Sequence, residues 1–393
     1  MKKWVIIFVV VILLGITVVG IRMAMAPEDI TFAQTIQLGE LPDLAKIVPE
    51  NLSEKVAVAI DGQVAFQNSD ATQATASTAK MIMAVMVMEK KPFKLGETGE
   101  TITINQQYYQ RYSYYITHNG SNTRVQLGEQ ISEYDALVSA LLASSNNMAD
   151  TLAMWAFGSF EEYKLYAQTR LAEWGLKNTT IGIDASGYSN TTTSTAADLA
   201  IIAQKLMENP VLAEIVGLKS HDVPVAGTIK NTNKILGQSG ILGIKTGWIG
   251  ASSGYCLATA YKLNEHLITV IVLNATTRDV SFERSKTIVD ALQASLKETM
   301  IVKKDQEVGY YESWWGGCAP IVATEDGSAL IWTGTNPKVQ LKMNESIDGQ
   351  ETTGTLEFVS NNGNMSIPVT TKYFRAAPSF GDKLRYALNL HEQ

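Results

Sequence analysis

The segment from Met81 to Met88 constrains the fold more than any other, because it is apolar on nearly every side of the helix that it predicts. A helix without a polar face is buried in a folded protein, so other elements must surround it. Ser77 and Lys80 stand three positions apart at the start of this helix. The sequence therefore predicts a domain packed around a buried helix, with a serine and a lysine at the helix N-terminus.

Ser77 and Lys80 form the first of three short motifs. Residues three apart lie on one helix face, which puts Lys80 within hydrogen-bond reach of Ser77. Serine is a weak nucleophile until a neighbouring base takes its proton. Lysine can be that base only if burial or a nearby cation lowers its pKa. We therefore predict Ser77 as a nucleophile and Lys80 as its base.

Two further motifs follow along the chain. Ser144 and Asn146 lie between two predicted helices, where the serine could relay a proton and the asparagine could bind the motif-one lysine and a substrate amide. Lys245, Thr246 and Gly247 precede a predicted strand, where they could supply a second cation, a carboxylate ligand and room for a substrate backbone. Each motif occurs by chance in many chains, but their order and contexts together point to one site.

The three motifs together resemble those of the penicillin-recognising serine enzymes. Residues 53–300 are similar to the low-molecular-mass penicillin-binding proteins that act as D-alanyl-D-alanine carboxypeptidases. Thr75 departs from the family pattern, in which proline is common at that position. The segments that carry the similarity are Ala76–Lys80, Leu141–Asp150, Asn231–Lys234 and Gly243–Gly247.

The resemblance implies a serine peptidase that removes the terminal D-alanine from peptidoglycan stem peptides. Ser77 would attack the carbonyl of the D-Ala-D-Ala bond, Lys80 would take its proton, and Ser144 would help to pass that proton to the departing D-alanine. Water would then hydrolyse the acyl-enzyme. β-Lactams would acylate the same serine because they mimic the D-Ala-D-Ala end, and neither a metal nor another cofactor is implied.

The resemblance also assigns substrate-binding residues. Relatives often carry an arginine that holds the substrate carboxylate, and Arg278 is the nearest candidate although it does not fall cleanly at the expected position. The oxyanion hole would use the backbone N–H of Ser77 and one on the Lys245 strand. Ser252 and Ser253 both remain open for that second group. The other predicted substrate-binding residues are Asn146, Lys245, Thr246 and Gly247.

The fold predicted for residues 53–300 is α+β, with an antiparallel sheet flanked by helices as in β-lactamases and transpeptidases. Asp61-Gly62 between two extended runs predicts a hairpin. The apolar runs Tyr255–Tyr261 and Leu267–Asn274 predict adjacent antiparallel strands, and Phe282–Leu296 predicts a closing helix.

Residues 301–393 predict a small all-β sandwich, because short alternating runs are separated by regularly spaced turns. The turns are expected at Asp326-Gly327, Asp348-Gly349 and Asn361–Gly363. This region also resembles the C-terminal module of the family through Trp315–Gly317 and Val322–Asp326.

The N-terminus predicts a membrane helix. Lys2 and Lys3 precede Trp4–Ile21, an 18-residue run without a charge, and Arg22 follows it. We predict residues 1–26 as an uncleaved anchor rather than a cleaved signal, and residues 27–52 as a linker. The positive start places the N-terminus in the cytoplasm and the rest on the extracytoplasmic face of a bacterial membrane, or in the medium if the segment is cleaved.

Composition excludes several other classes. The formal net charge is −7, which argues against a nucleic-acid binder. Two cysteines and four scattered histidines argue against a disulfide scaffold and a zinc site.

Other activities on the same fold stay open from the sequence. A class A β-lactamase would add a Glu-x-x-x-Asn loop between the second and third motifs, and residues 147–244 contain no such pattern. A penicillin-binding sensor or wall scaffold that acylates without turnover would carry the same motifs. A D,D-endopeptidase is a closer alternative.

Overall fold

The computed structural model describes residues 2–26, 31–50, 52–315, 317–335, 337–344, 352–360, 363–371 and 378–390. For residues 2–10 it describes the backbone but not the side chains. The helices are α1 (Lys2–Ala24), α2 (Leu44–Ile47), α3 (Ala79–Lys90), α4 (Gln106–Thr117), α5 (Glu133–Leu141), α6 (Asn146–Phe157), α7 (Phe160–Glu173), α8 (Ala196–Glu208), α9 (Pro210–Gly217), α10 (Arg278–Ser295) and α11 (Phe380–Ala387).

The strands belong to two larger sheets and several short pairs. They are β1 (Thr31–Gln34), β2 (Lys55–Ile60), β3 (Gln63–Gln67), β4 (Gln73–Ala74), β5 (Thr101–Thr103), β6 (Gln130–Ser132), β7 (Thr193–Ser194), β8 (Ser220–Val223), β9 (Gly227–Lys230), β10 (Gly243–Gly247), β11 (Tyr255–Leu263), β12 (His266–Ala275), β13 (Thr299–Val302), β14 (Glu307–Ser313), β15 (Gly317–Ala323), β16 (Gly327–Ala329), β17 (Lys338–Met343), β18 (Thr352–Ser360) and β19 (Gly363–Thr371).

The chain divides into two compact units, Asp43–Leu296 and the combination of Met1–Pro42 with Lys297–Gln393. The unit Asp43–Leu296 contains a five-stranded antiparallel sheet in the order β10-β11-β12-β2-β3. The hairpin β2–β3 turns at Asp61-Gly62, as predicted, and both residues adopt the positive φ that such turns need. The predicted antiparallel sheet of an α+β fold is therefore confirmed, with β10 at one edge of the sheet.

Helices cover both faces of this sheet. Thr269 pairs with Ala260, so the side chains of these two residues point to the same face of the sheet. Thr259 is next to Ala260 along β11 and therefore points to the opposite face. The Thr269 hydroxyl donates to the Ala200 carbonyl of α8, whereas the Thr259 hydroxyl contacts Ser285 of α10. The sheet is thus buried between α8 on one side and α10 on the other.

Helix α3 lies in the interior of this unit. Every residue from Ala79 to Met88 is buried, as the apolar pattern of the segment predicts. Its neighbours include α5, α6, α7 and α8. A short 3₁₀ turn, Ala76–Thr78, precedes α3 and packs against β10. The fold therefore brings the N-terminus of a buried helix to β10, the edge strand of the sheet.

The second unit contains a six-stranded antiparallel sheet in the order β1-β14-β15-β19-β18-β17, together with the pair β13–β16. Its core includes Val302, Ile321, Phe358 and Val369. The prediction of an all-β domain is not confirmed, because α11 follows the last strand and begins with a capping box at Ser379.

The predicted linker 27–52 contributes elements to both units. β1 pairs with β14, and the side chains of Phe32 and Ile36 pack into the core of the second unit. α2 belongs to the unit Asp43–Leu296.

Of the turns predicted in residues 301–393, the one at Asp326-Gly327 directly precedes β16, which begins at Gly327. Gly316, Asp348-Gly349 and Asn361-Asn362 lie outside the described residues.

The predicted membrane anchor is not confirmed. Residues Lys2–Ala24 form the long helix α1. Within the described part of the chain, no helix meets both the length and the hydropathy that a membrane span requires.

Candidate active site

Ser77 lies in the 3₁₀ turn that leads into α3, and its side chain is half-buried. The residue before it, Ala76, has a φ of 48°, an uncommon conformation for a residue with a side chain. The carbonyl of Ala76 packs against Gly187 so closely that no side chain would fit at Gly187. This packing holds the Ser77 turn in a fixed and strained geometry.

Lys80 lies one turn further along and is fully buried. Its Nζ lies 2.9 Å from the Ser77 Oγ, 2.7 Å from the Asn146 Oδ1 and 2.7 Å from the Ser186 carbonyl oxygen. The second and third contacts fix the direction of the amine, because both partners are buried acceptors. The amine is consequently aimed at the Ser77 hydroxyl.

Burial lowers the pKa of Lys80 from 10.5 to about 7, although the nearby carboxylates of Asp184 and Asp150 oppose this effect. A group with that pKa has a large neutral fraction near neutral pH, and a neutral amine can accept a proton. The site therefore meets the condition under which a lysine can act as a base.

Ser144 and Asn146 come from the connection between α5 and α6. Ser144 is buried and has a φ of 59°, and Ser145 caps α6 by accepting from the Met148 N–H. This sharp entry into the helix places Asn146 in the first turn, where its side chain reaches Lys80. The backbone N–H of Asn146 donates to the Ser121 carbonyl at 2.8 Å, which anchors the turn.

The third motif lies on the edge strand β10. Lys245 is 1% exposed, and its Nζ donates to the Thr246 carbonyl at 3.0 Å. Burial, and then the positive charge of Lys80, lower the pKa of Lys245 well below its usual value. Thr246 is half-buried, and its hydroxyl lies 2.7 Å from the Thr232 hydroxyl. Two lysines thus share one buried site next to Ser77.

Gly247 ends β10 against the Ser77 turn. A Cβ at this position would lie 3.0 Å from the Ser77 amide nitrogen and 3.1 Å from the Ala76 Cβ.

We expect Gly247→Ala to push the turn away from the strand and to slow acylation of Ser77 by about tenfold, because small displacements of reacting groups are costly. Stopped-flow acylation by a fluorescent penicillin measures this rate. An unchanged rate would mean that the turn and the strand need not touch.

The predicted substrate-binding residue Arg278 lies outside the three motifs. Arg278 is exposed at the start of α10. Shortly before Arg278, Ala275 of β12 pairs with Tyr255 of β11. The next residue of β11, Cys256, pairs with Gly247 at the end of β10. Arg278 therefore stands at the same end of the sheet as Gly247, but no described contact joins its side chain to the site.

The expectation that Ser252 or Ser253 lies on the Lys245 strand is wrong. β10 ends at Gly247, and both serines belong to the following loop. Ser252 is exposed, and the Ser253 N–H donates to the Gly250 carbonyl within that loop. The turn-forming Gly250, with a φ of 86°, ends the extended backbone before either serine.

The sequence analysis did not identify a group of polar residues beside Lys80, most of which are buried. It includes Asp150 of α6, Asp184 and Ser186 after α7, and Arg111 and Tyr115 of α4. The available signal was Asp150 itself, a carboxylate at the end of the second-motif segment Leu141–Asp150.

The chain is similar to known proteins in sequence and in fold. Residues 46–277 match the model of a protein family described as D-alanyl-D-alanine carboxypeptidase. The D-alanyl-D-alanine carboxypeptidase DacF of Bacillus subtilis is 27% identical over 272 residues, which cover 65% of this chain and 66% of the relative. The chain therefore spans slightly less than two thirds of that relative's length.

Two solved structures share the fold. The peptidoglycan synthesis regulatory factor (PBP3) of Streptococcus pneumoniae has a TM-score of 0.61 and 19% identity, over 81% of this chain and 98% of that protein. The Streptomyces K15 DD-transpeptidase has a TM-score of 0.57 and 23% identity, over 63% of this chain and 99% of that protein.

Proposed function

The chain belongs to the D-alanyl-D-alanine carboxypeptidase family, and we propose that it removes the terminal D-alanine from peptidoglycan stem peptides through an acyl-enzyme on Ser77. The observation that carries this proposal is the 2.9 Å contact between the Ser77 Oγ and the buried Lys80 Nζ. A serine peptidase needs a nucleophile and a base within this distance.

In the proposed acylation step, the Ser77 Oγ attacks the carbonyl carbon of the penultimate D-alanine while the Lys80 Nζ accepts its proton. The negative charge that develops on the carbonyl oxygen is stabilised by two backbone N–H groups. We assign these to Ser77 and to Trp248, which directly follows Gly247. The proton then passes through Ser144 to the nitrogen of the departing D-alanine, and water hydrolyses the ester.

Substrate binding is proposed along the edge strand. β10 has a free edge among the described strands of its sheet, so an extended peptide can lie beside it and form backbone hydrogen bonds. Thr246 and Lys245 would bind the terminal carboxylate, with Arg278 as an outer cation. Asn146 would bind the amide before the scissile bond. β-Lactams present the same carboxylate and carbonyl, and we propose that they acylate Ser77.

The test is release of D-alanine from diacetyl-Lys-D-Ala-D-Ala by the purified full-length protein in mild detergent. We expect release by the unaltered chain and none above background by Ser77→Ala. No release by the unaltered chain would contradict the carboxypeptidase proposal. A stable penicillin adduct without peptide cleavage would instead support a sensor, and rapid penicillin turnover would support a β-lactamase.

We also propose that the enzyme is exported and held at the outer face of the membrane by its N-terminal segment. The support is the uncharged run Trp4–Ile21 between Lys3 and Arg22. Fractionation of cells that express the full chain tests this. We expect the protein in the membrane fraction after a high-salt wash, and recovery in the soluble fraction would contradict the anchor. A mature N-terminus at Pro27 would identify a cleaved signal instead.

A further inference from the structure

Lys80 rests against a group of polar residues that the proposed reaction does not use, all of them buried except the partly exposed Arg111. We call it the carboxylate cluster, and it consists of Arg111, Tyr115, Asp150, Asp184 and Ser186. It links three parts of the fold, because α4, α6 and the segment after α7 each contribute to it. The only cluster atom that Lys80 touches directly is the Ser186 carbonyl oxygen, at 2.7 Å.

Asp150 ties the three parts together. Its side chain is 3% exposed, and its carboxylate accepts hydrogen bonds from the Arg111 Nε at 2.8 Å and from the Tyr115 hydroxyl at 2.7 Å. A second guanidinium nitrogen of Arg111 also contacts it. Its other oxygen accepts from the Ala185 N–H at 3.1 Å. Asp150 therefore holds the segment that presents the Ser186 carbonyl.

Asp184 fixes the same segment from within. One oxygen accepts from the Ser186 N–H at 2.9 Å, the Ser186 hydroxyl at 2.6 Å and the Tyr188 N–H at 3.0 Å. The other oxygen accepts from the Ser189 N–H at 2.9 Å. With both carboxylates in place, the peptide that carries the Ser186 carbonyl has little freedom to turn away from Lys80.

The carboxylate cluster by itself contains more negatively than positively charged groups. Asp150 and Asp184 supply two buried carboxylates, whereas Arg111 is the cluster's one cation. Burying an uncompensated charge is costly, so a second cation is needed nearby. Lys80 lies on the other side of Ser186, and both carboxylates favour its protonated form, which can supply that charge.

We propose that Asp150 and Asp184 are positioning residues, which hold the Ser186 carbonyl against Lys80 and set the pH range in which Lys80 can accept the Ser77 proton. This inference rests on the function proposed above, in which Lys80 is the base. Neither carboxylate has a role in the reaction proposed above, so both act through Ser186 and through their charge.

Electrostatics supports this role. Burial brings the pKa of Lys80 down to about 7, while Asp184 and then Asp150 raise it. Burial also raises the pKa of the Asp150 carboxyl, and the charge of Arg111 acts against this rise. Removing either carboxylate should therefore lower the pKa of Lys80 further. The polar and charged groups that face Lys80 or the cluster are Ser77, Arg111, Tyr115, Asn146, Asp150, Tyr163, Asp184, Ser186 and Lys245.

The test measures the rate constant for acylation by a fluorescent penicillin between pH 5 and 9, on the full-length protein in detergent. Only neutral Lys80 accepts a proton, so the rate of the unaltered enzyme should rise with pH around a midpoint of about 7. We expect Asp150→Asn and Asp184→Asn each to move this midpoint down by about one pH unit. A purely structural role would slow the reaction without moving the midpoint.

Asp198→Asn is the matched control. Asp198 is also buried and accepts from the Asn178 N–H and the Thr179 hydroxyl in the same unit, but its charge does not contribute to the pKa shift of Lys80. Its variant should keep the midpoint of the unaltered enzyme. The single-turnover rate constant is independent of the amount of active protein, so partial misfolding does not shift the midpoint.

The outcomes separate the two proposals. If the unaltered chain forms no penicillin adduct, the proposed function fails. If it forms one with a midpoint near 7, but both cluster variants keep that midpoint, the positioning inference is overturned. An equal shift in Asp198→Asn would also overturn it, because the effect would then not depend on the cluster.

Discussion

Replacing Lys80 with alanine is expected to slow acylation of Ser77 by about a thousandfold, because general base catalysis contributes that order of magnitude. The Lys80 amine lies 2.9 Å from the Ser77 hydroxyl, and the acceptors Asn146 and Ser186 fix its direction. Stopped-flow measurement with a fluorescent penicillin gives the acylation rate constant directly.

Lys80→Arg separates the base from the charge. Arginine keeps a cation in the site, but its guanidinium stays protonated at every usable pH and cannot accept the Ser77 proton. We therefore expect Lys80→Arg to be nearly as slow as Lys80→Ala. Full acylation by either variant would show that another group takes the proton.

Lys245→Ala is expected to reduce acylation by carboxylate-bearing substrates by about a hundredfold, the effect of losing one hydrogen bond to a charged group. Burial and the neighbouring Lys80 lower the pKa of Lys245. A substrate carboxylate would oppose both effects and favour the charged amine, so binding should take up a proton. The measured quantity is kcat/KM for diacetyl-Lys-D-Ala-D-Ala.

The matched comparison uses the same peptide with a C-terminal amide in place of its carboxylate. The unaltered enzyme should prefer the acid, and Lys245→Ala should lose most of that preference. Lys262→Ala, which removes an exposed lysine of the neighbouring strand β11, is the control for a lysine lost from the same sheet. If Lys245→Ala slowed both peptides equally, Lys245 would act on the chemistry rather than on the carboxylate.

The sequence predicted those parts of the fold that local patterns determine. The Asp61-Gly62 turn, the apolar helix after Ser77 and the paired strands β11 and β12 each follow from short-range periodicity and turn chemistry.

The remaining parts depend on contacts between distant segments. Strand β1 exists because it pairs with β14, almost 280 residues later, and nothing within Thr31–Gln34 specifies that partner. Ser252 and Ser253 were misplaced for a different, local reason, since β10 ends at Gly247 and a turn at Gly250 precedes both serines. The carboxylate cluster brings α4, α6 and the segment after α7 together, and spacing along the chain does not show that arrangement.

Mass spectrometry of the full-length protein after brief exposure to benzylpenicillin tests the central claim most directly. The account predicts one penicilloyl group per chain, located on the peptide that contains Ser77, and no adduct in Ser77→Ala. An adduct on any other residue, or D-alanine release by Ser77→Ala at the rate of the unaltered enzyme, would contradict Ser77 as the nucleophile.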